Sequence, residues 1–249
     1  GIMIKSYSIC PQAAGKYISS LYGTKKNIWI GTDEGIYIYA YATETFTYFD
    51  LTTPNNVRIT SIVNHILQDK DGNLWFSTNG QGLFRYNLSK NYLEQYEFTS
   101  AFGIVASTMA DSDNQIWALT NQGESGVYKL NKAENKFEPF GLLYNAGNHH
   151  SQALAMLEDS EQTLWLGTWE CGLQKIDKYT RQTTTYLHPT DGKGVTHIHS
   201  LMEYAPHQLL IGSDDGLLLF NTLTEEYKLF TENETVPNSL SNRFVYPII

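Results

Sequence analysis

One short phrase is written five times along the chain: NIWIGT at Asn27–Thr32, NLWFST at Asn73–Thr78, QIWALT at Gln115–Thr120, TLWLGT at Thr163–Thr168 and QLLIGS at Gln208–Ser213. With Trp29, Trp75, Trp117, Trp165 and Leu210 as markers, successive copies lie 42 to 48 residues apart. A period of roughly 40–50 residues fits four short antiparallel strands and their turns, the unit of a β-propeller blade. Helical repeats of similar length would place apolar residues three and four apart, and no segment shows that spacing convincingly. The repeat therefore predicts an all-β propeller of four-stranded antiparallel blades, read as one domain because repeat units share one core.

Composition narrows the partners. Aromatic residues make up 13% of the 249, which suits strands packing flat side chains between stacked sheets. A formal net charge of −9 argues against nucleic acid, since no basic face is available to displace counterions from phosphates. The two cysteines, Cys10 and Cys171, are too few for a disulfide scaffold. No run of 18 apolar residues occurs and the first residues do not read as a signal peptide, so any export signal or anchor is expected outside this segment.

The second copy serves as template. Residues 59–68 read as an innermost strand A, 69–73 as an Asp/Gly/Asn turn, 74–78 as strand B, 79–82 as a Gly-rich turn, 83–86 as strand C and 92–98 as strand D. A near-continuous apolar strand B is expected because neighbouring blades cover both its faces. A glycine precedes strand C in each copy (Gly35, Gly82, Gly126, Gly172, Gly216), read as a turn that a side chain would obstruct. The blades fall approximately at 16–58, 59–102, 103–150, 151–194 and 195–236. Residues 1–9 look like an orphan strand D and 238–249 like the start of a further blade, which suggests an excerpt of a larger propeller of the seven-bladed type. Open blade edges would then favour self-association; five blades closing with frayed ends is the alternative.

The pattern Asp-x-x-Gly-Asn-Leu-Trp-x-x-Thr-x-x-Gly-Leu-x-x-Tyr, complete from Asp69 to Tyr86, resembles the two-component regulator propeller repeat, as do residues 28–39 and the NSLSN entry at 238–242. The resemblance covers essentially the whole chain. It implies a periplasmic or extracellular sensor region of a membrane-anchored hybrid histidine kinase, of a kind common in gut bacteria that feed on polysaccharides. It also implies further blades, a following immunoglobulin-like domain and a kinase core outside this chain, which itself is expected to be no enzyme. The fifth copy departs by carrying Leu210 for Trp, and the third by a longer turn at 121–126. WD40 and kelch repeats match poorly.

For chemistry, alternating strand direction brings the B-to-C turns and the D-to-A links to one face. That face would gather Arg58, Asn79, Gln81, Asn121, Glu124, His149, His150, Trp169, Glu170, His197 and Asp214, a set suited to a polar ligand such as an oligosaccharide, although solvated loops explain the same residues. The four strand-B tryptophans read as core wedges, whereas Trp169 offers a ring in a turn where other copies carry Asp or Asn. His149-His150 and His197-x-His199 could orient two ligands alike, but no carboxylate falls at a recognised spacing, so neither metal nor cofactor is assigned. Asp69-x-Asp71 and Asp111-x-Asp113 echo calcium loops, yet turn chemistry suffices for them. A catalytic propeller (lyase or glycosidase) and a protein scaffold without a small ligand remain alternatives. The first would need carboxylates assembled across blades, because adjacent acids such as Glu158-Asp159 diverge in a strand.

Overall fold

The computed structural model describes residues 16–98, 103–120, 126–142, 152–188, 194–232 and 239–246. Among the described residues twenty strands form five four-stranded antiparallel sheets and no helix occurs. Blade 1 comprises β1 (Ile18–Gly23), β2 (Asn27–Thr32), β3 (Gly35–Ala40) and β4 (Thr45–Tyr48). Blade 2 comprises β5 (Val63–Gln68), β6 (Leu74–Thr78), β7 (Leu83–Asn87) and β8 (Tyr92–Tyr96). Blade 3 holds β9 (Ser107–Ala110), β10 (Ile116–Thr120), β11 (Gly126–Asn131) and β12 (Lys136–Leu142). Blade 4 holds β13 (Ala153–Glu158), β14 (Leu164–Thr168), β15 (Leu173–Ile176) and β16 (Thr183–Tyr186), and blade 5 holds β17 (Ile198–Ala205), β18 (Gln208–Ser213), β19 (Gly216–Asn221) and β20 (Tyr227–Phe230). In every sheet the strands lie side by side in chain order, the topology of a propeller blade. Two compact units, 1–108 and 109–249, divide within β9.

Strand B of the template falls where the sequence puts it, and β6, β10 and β14 are buried along their whole length. Strand A is shorter than expected. Ile59 is buried but belongs to the link before β5, where its carbonyl accepts the Tyr48 hydroxyl at 3.1 Å. Strand D is also shorter, ending at Tyr96. The outer segments 1–9 and part of 238–249 lie outside the described residues.

Three local devices repeat. The Thr or Ser that closes each phrase turns its hydroxyl onto the glycine carbonyl at the start of the next strand: Thr32 to Gly35 (2.9 Å), Thr78 to Gly82 (2.6 Å), Thr120 to Gly126 (3.4 Å), Thr168 to Gly172 (2.7 Å) and Ser213 to Gly216 (2.9 Å). The glycine itself is required at Gly82 and Gly216, with φ of +76° and +137°, because a Cβ would sit 2.3 Å and 2.2 Å from the carbonyl oxygens of Tyr96 and Phe230. In the C-to-D turns, Asn87, Asn131, Asp177 and Asn221 each accept the amide three residues on, the Asx turn that polar short side chains favour.

The second device is a cradle for tryptophan. Trp75, Trp117 and Trp165 donate their indole N–H to Asp69 (2.8 Å), Asp111 (3.0 Å) and Asp159 (2.6 Å), six residues upstream in the A-to-B turn. The other oxygen of each aspartate accepts the amide of Asn73, Gln115 or Thr163, each at 2.8 Å. A strand-C cation also stands over each ring: Arg85 over Trp75, Lys129 over Trp117 and Lys175 over Trp165, at 5.6, 5.1 and 5.8 Å from the centroids. Blades 1 and 5 pair Trp29 with Ile38 and Leu210 with Leu219 instead.

The third device joins blades. Trp29 packs on Phe49, Phe76 and Tyr86 in the first unit. In the second unit Trp117 clusters with Leu164 and Leu166, and Trp165 with Leu209, Ile211 and Phe220. Each ring thus wedges against the following blade, as strand position and apolar neighbours imply.

Candidate functional site

Backbone register decides which loop residues meet. At the start of strand A and the end of strand B, one hydrogen bond recurs: Asp33 N to Tyr17 O (3.1 Å), Asn79 N to Ile62 O (2.9 Å), Trp169 N to Gln152 O (2.9 Å) and Asp214 N to His197 O (3.3 Å). The B-to-C turn of a blade therefore lies beside the link that enters its own strand A. The link of the next blade approaches the same turn, since Glu170 N donates to Thr196 O at 2.7 Å and Trp169 bridges His197.

In blade 2 this geometry brings Arg58, Asn79 and Gln81 to one end of the sheet, and the polar groups of Gln81 are engaged within the protein. Its carbonyl oxygen accepts the amides of Thr60 (2.8 Å) and Ser61 (3.0 Å), and its NH2 donates to the Arg58 carbonyl (2.9 Å). Arg58 pairs with Asp50 at 2.8 Å. Asn121, Glu124, His149 and His150 lie outside the described residues.

Blades 4 and 5 build a denser cluster within the second unit. The Trp169 ring is 40% exposed and stacks on His197, centroids 3.6 Å apart. Glu170 beside it holds a left-handed backbone (φ 67°) where blade 2 has Gly80, an uncommon conformation for a residue with a side chain. His197 Nδ1 meets Asp214 Oδ2 in a short contact, and His199 Nε2 lies 2.7 Å from Asp214 Oδ1. The Tyr246 hydroxyl donates to the same Oδ1 at 3.2 Å, while its ring lies 4.1 Å from that of His199. Partial burial works against ionisation of Asp214, but the bonds from His197 and His199 and the charge of His199 outweigh it and hold the carboxyl below its usual range. Burial pushes the Tyr246 phenol up, and the Asp214 charge adds to it.

Of the residues singled out from sequence, Trp169, Glu170, His197 and Asp214 come together here. Two participants were missed. From sequence His199 reads only as half of a histidine pair without a carboxylate, and Tyr246 as part of the entry of a further blade. The signal that could have found Asp214 as their partner is the hairpin register, which sets residue 214 opposite residue 197.

The acidic pair Glu158-Asp159 has other engagements. Glu158 accepts Lys178 Nζ at 2.8 Å and the Ser112 hydroxyl at 3.0 Å, and Asp159 holds Trp165. Both oxygens of Asp69 and of Asp111 likewise accept indole and amide protons, so the calcium-loop echo resolves into the tryptophan cradle. A cleft lined by Gln162, Lys175, Asp177, Tyr179 and Gln182 lies at the other end of blade 4.

Comparison with known proteins agrees with the repeat. Residues 56–80 match the family model described as two component regulator propeller. Histidine kinase P4 of Formosa agariphila is 26% identical over 229 residues, covering 87% of this chain and 16% of the kinase. The extracellular domain of BT4673, assigned to a hybrid two component system of B. thetaiotaomicron, superposes with a TM-score of 0.75 at 22% identity, covering 93% of this chain and 30% of that one. Virginiamycin B lyase from Staphylococcus aureus shares the fold at a TM-score of 0.66 and 17% identity, over 88% of this chain and 71% of the lyase. The chain thus spans about a sixth of the kinase relative.

Proposed function

We propose that this chain, which carries two component regulator propeller repeats, is part of the sensor region of a hybrid histidine kinase, placed on the outer side of the membrane and itself without catalytic activity. Its blades bind a polar ligand, an oligosaccharide in our reading, and bias a kinase carried elsewhere in the protein. The kinase relative and the extracellular sensor domain support the setting. Signalling then requires a ligand that binds two arrangements of the sensor with different affinity.

The observation that carries the ligand reading is the presentation of Trp169. Its ring is buttressed by His197 yet 40% exposed, beside the left-handed Glu170, with Asp214 and the 59% exposed Tyr246 close by. A partly exposed aromatic residue flanked by hydrogen-bonding groups suits contact with a sugar ring. Calorimetry against a panel of plant and host glycans tests it: a saturable signal from one glycan class, lost in Trp169→Ala, is expected. Absence of heat with every glycan well above about 1 mM would refute direct sensing by these blades.

A larger propeller is favoured by Val245. The strand-B glycines Gly31 and Gly167 face the first strand-A residue of the next blade, Val63 and Ile198, whose carbonyl would lie 2.9 Å from an added Cβ in both cases. Gly212 of blade 5 faces Val245 in the same way, at 2.8 Å, and Val245 N donates to Ser213 O. Val245 so takes the place of the first strand-A residue of another blade.

A further inference from the structure

The same backbone frame carries a donor set that the fold itself does not ask for. Pairing of Ile18 with Thr32, Val63 with Thr78, Ala153 with Thr168 and Ile198 with Ser213 makes these positions equivalent in four blades. The residues before and after the first of each pair, and the residue after the second, are Tyr17, Ser19 and Asp33 in blade 1, Ile62, Asn64 and Asn79 in blade 2, and Gln152, Leu154 and Trp169 in blade 4. In blade 5 they are His197, His199 and Asp214. Blades without histidine at these places keep the same hydrogen bond between the turn and the link, so folding does not explain two imidazoles beside the carboxylate there.

We propose that His197, His199 and Asp214 form a binding site for a divalent first-row transition metal ion, of which Zn2+ is the natural probe. The two histidines flank Ile198, which is fully buried, and both rings reach the carboxylate of Asp214. Asp214 reaches them from the turn opposite. One donor atom from each of the three residues lies within 4.8 Å of the others, and the side chains are 19, 11 and 20% exposed. Bonds of about 2.0–2.1 Å to imidazole nitrogen and carboxylate oxygen put neighbouring donors about 3.3 Å apart in a tetrahedral shell, so small rotations outward open the present hydrogen-bonded cluster around an ion. Two nitrogens and one oxygen suit zinc, iron, nickel or copper rather than calcium or magnesium, which take oxygen shells. Three protein donors leave at least one position free. Trp169 covers His197 on one side, and the Tyr246 hydroxyl holds Asp214 Oδ1 from another, the orienting contact a ligating carboxylate generally has.

The test uses the 249-residue chain after treatment with a chelator and desalting. Titration with Zn2+ by calorimetry should show one ion per chain at about micromolar affinity or tighter, and Co2+ should develop the visible absorption of a site with nitrogen and oxygen donors. His199→Ala and Asp214→Asn should each weaken binding by at least about tenfold, while His65→Asn, which is not one of the three donors, leaves it intact. If either cluster variant fails to fold by circular dichroism, His197→Ala replaces it. Failure of the unaltered chain to bind Zn2+ at about 100 µM, or binding that survives loss of both histidines, would overturn the site. Zn2+ binding and glycan binding are read separately, so failure of one leaves the other to stand or fall by its own measurement.

Discussion

At the scale of single residues, the recurrent tryptophan explains more of this chain than any other position. A buried indole must find an acceptor for its N–H, and blades 2, 3 and 4 provide an aspartate six residues earlier together with a cation across the hairpin. Blade 5 abandons all three parts together, with Tyr204, Leu210 and Leu219 in their places. Asp159→Asn keeps the volume but sets an NH2 against an N–H or a turn amide, so the unfolding free energy should fall by about 1–3 kcal/mol in urea titration. A change within experimental error would mean the cradle is ornamental to stability. The tryptophans were legible as core from their apolar flanks. Their aspartates were legible only as turn residues, because sequence shows a turn's composition without showing where a free carboxylate oxygen points.

At the scale of elements, stability rests on turns that hand the chain from strand to strand. Gly216→Ala would drive a Cβ into the Phe230 carbonyl at 2.2 Å while forcing φ of +137° on an L residue. Hydrogen exchange should accelerate first in β20, which the displaced carbonyl belongs to, and unchanged protection there would contradict the reading. Lys178 in the C-to-D turn of blade 4 links two blades within the second unit: its nearly buried ammonium meets Glu158 at 2.8 Å, Asp113 at 3.2 Å and the buried Asp111 at 3.8 Å. Burial opposes the charge, yet the hydrogen bonds that the ammonium donates to Glu158 and Asp113 more than offset it and raise the ammonium above its ordinary value. Lys178→Met leaves buried carboxylates uncompensated and should cost about 3–5 kcal/mol, readable as a lowered urea midpoint. Sequence could not have flagged this lysine, since its partners lie 20 to 67 residues away.

At the scale of the whole molecule, pH couples to folding through a buried histidine in the first unit. Desolvation lowers the pKa of His65, whose Nδ1 accepts the Thr108 amide at 3.4 Å in the neutral form. The folded value lies below the unfolded one of about 6.5, so its contribution is complete above that pH and is lost as pH falls towards the folded value, where the unfolded chain binds the extra proton first. Stability of β5 to β8, followed by hydrogen exchange, should therefore decline below about pH 6.5, and His65→Gln should flatten that decline. An identical slope in the variant would assign the acid sensitivity elsewhere.

What the sequence determined by itself is the architecture: five blades, the position of strand B in each and the Thr and Gly that bend strand B into strand C. These follow from alternation, period and turn chemistry, all of which act within a few residues of each other along the chain. Tertiary structure alone decided the meetings. His197, His199 and Asp214 converge because antiparallel register folds residue 214 back onto residue 197, and Trp169 covers them because blade 4 delivers its turn to the link that enters blade 5. Such contacts depend on how sheets pair and stack, and a period of about 45 residues fixes that the blades repeat without saying which side chains their ends bring together.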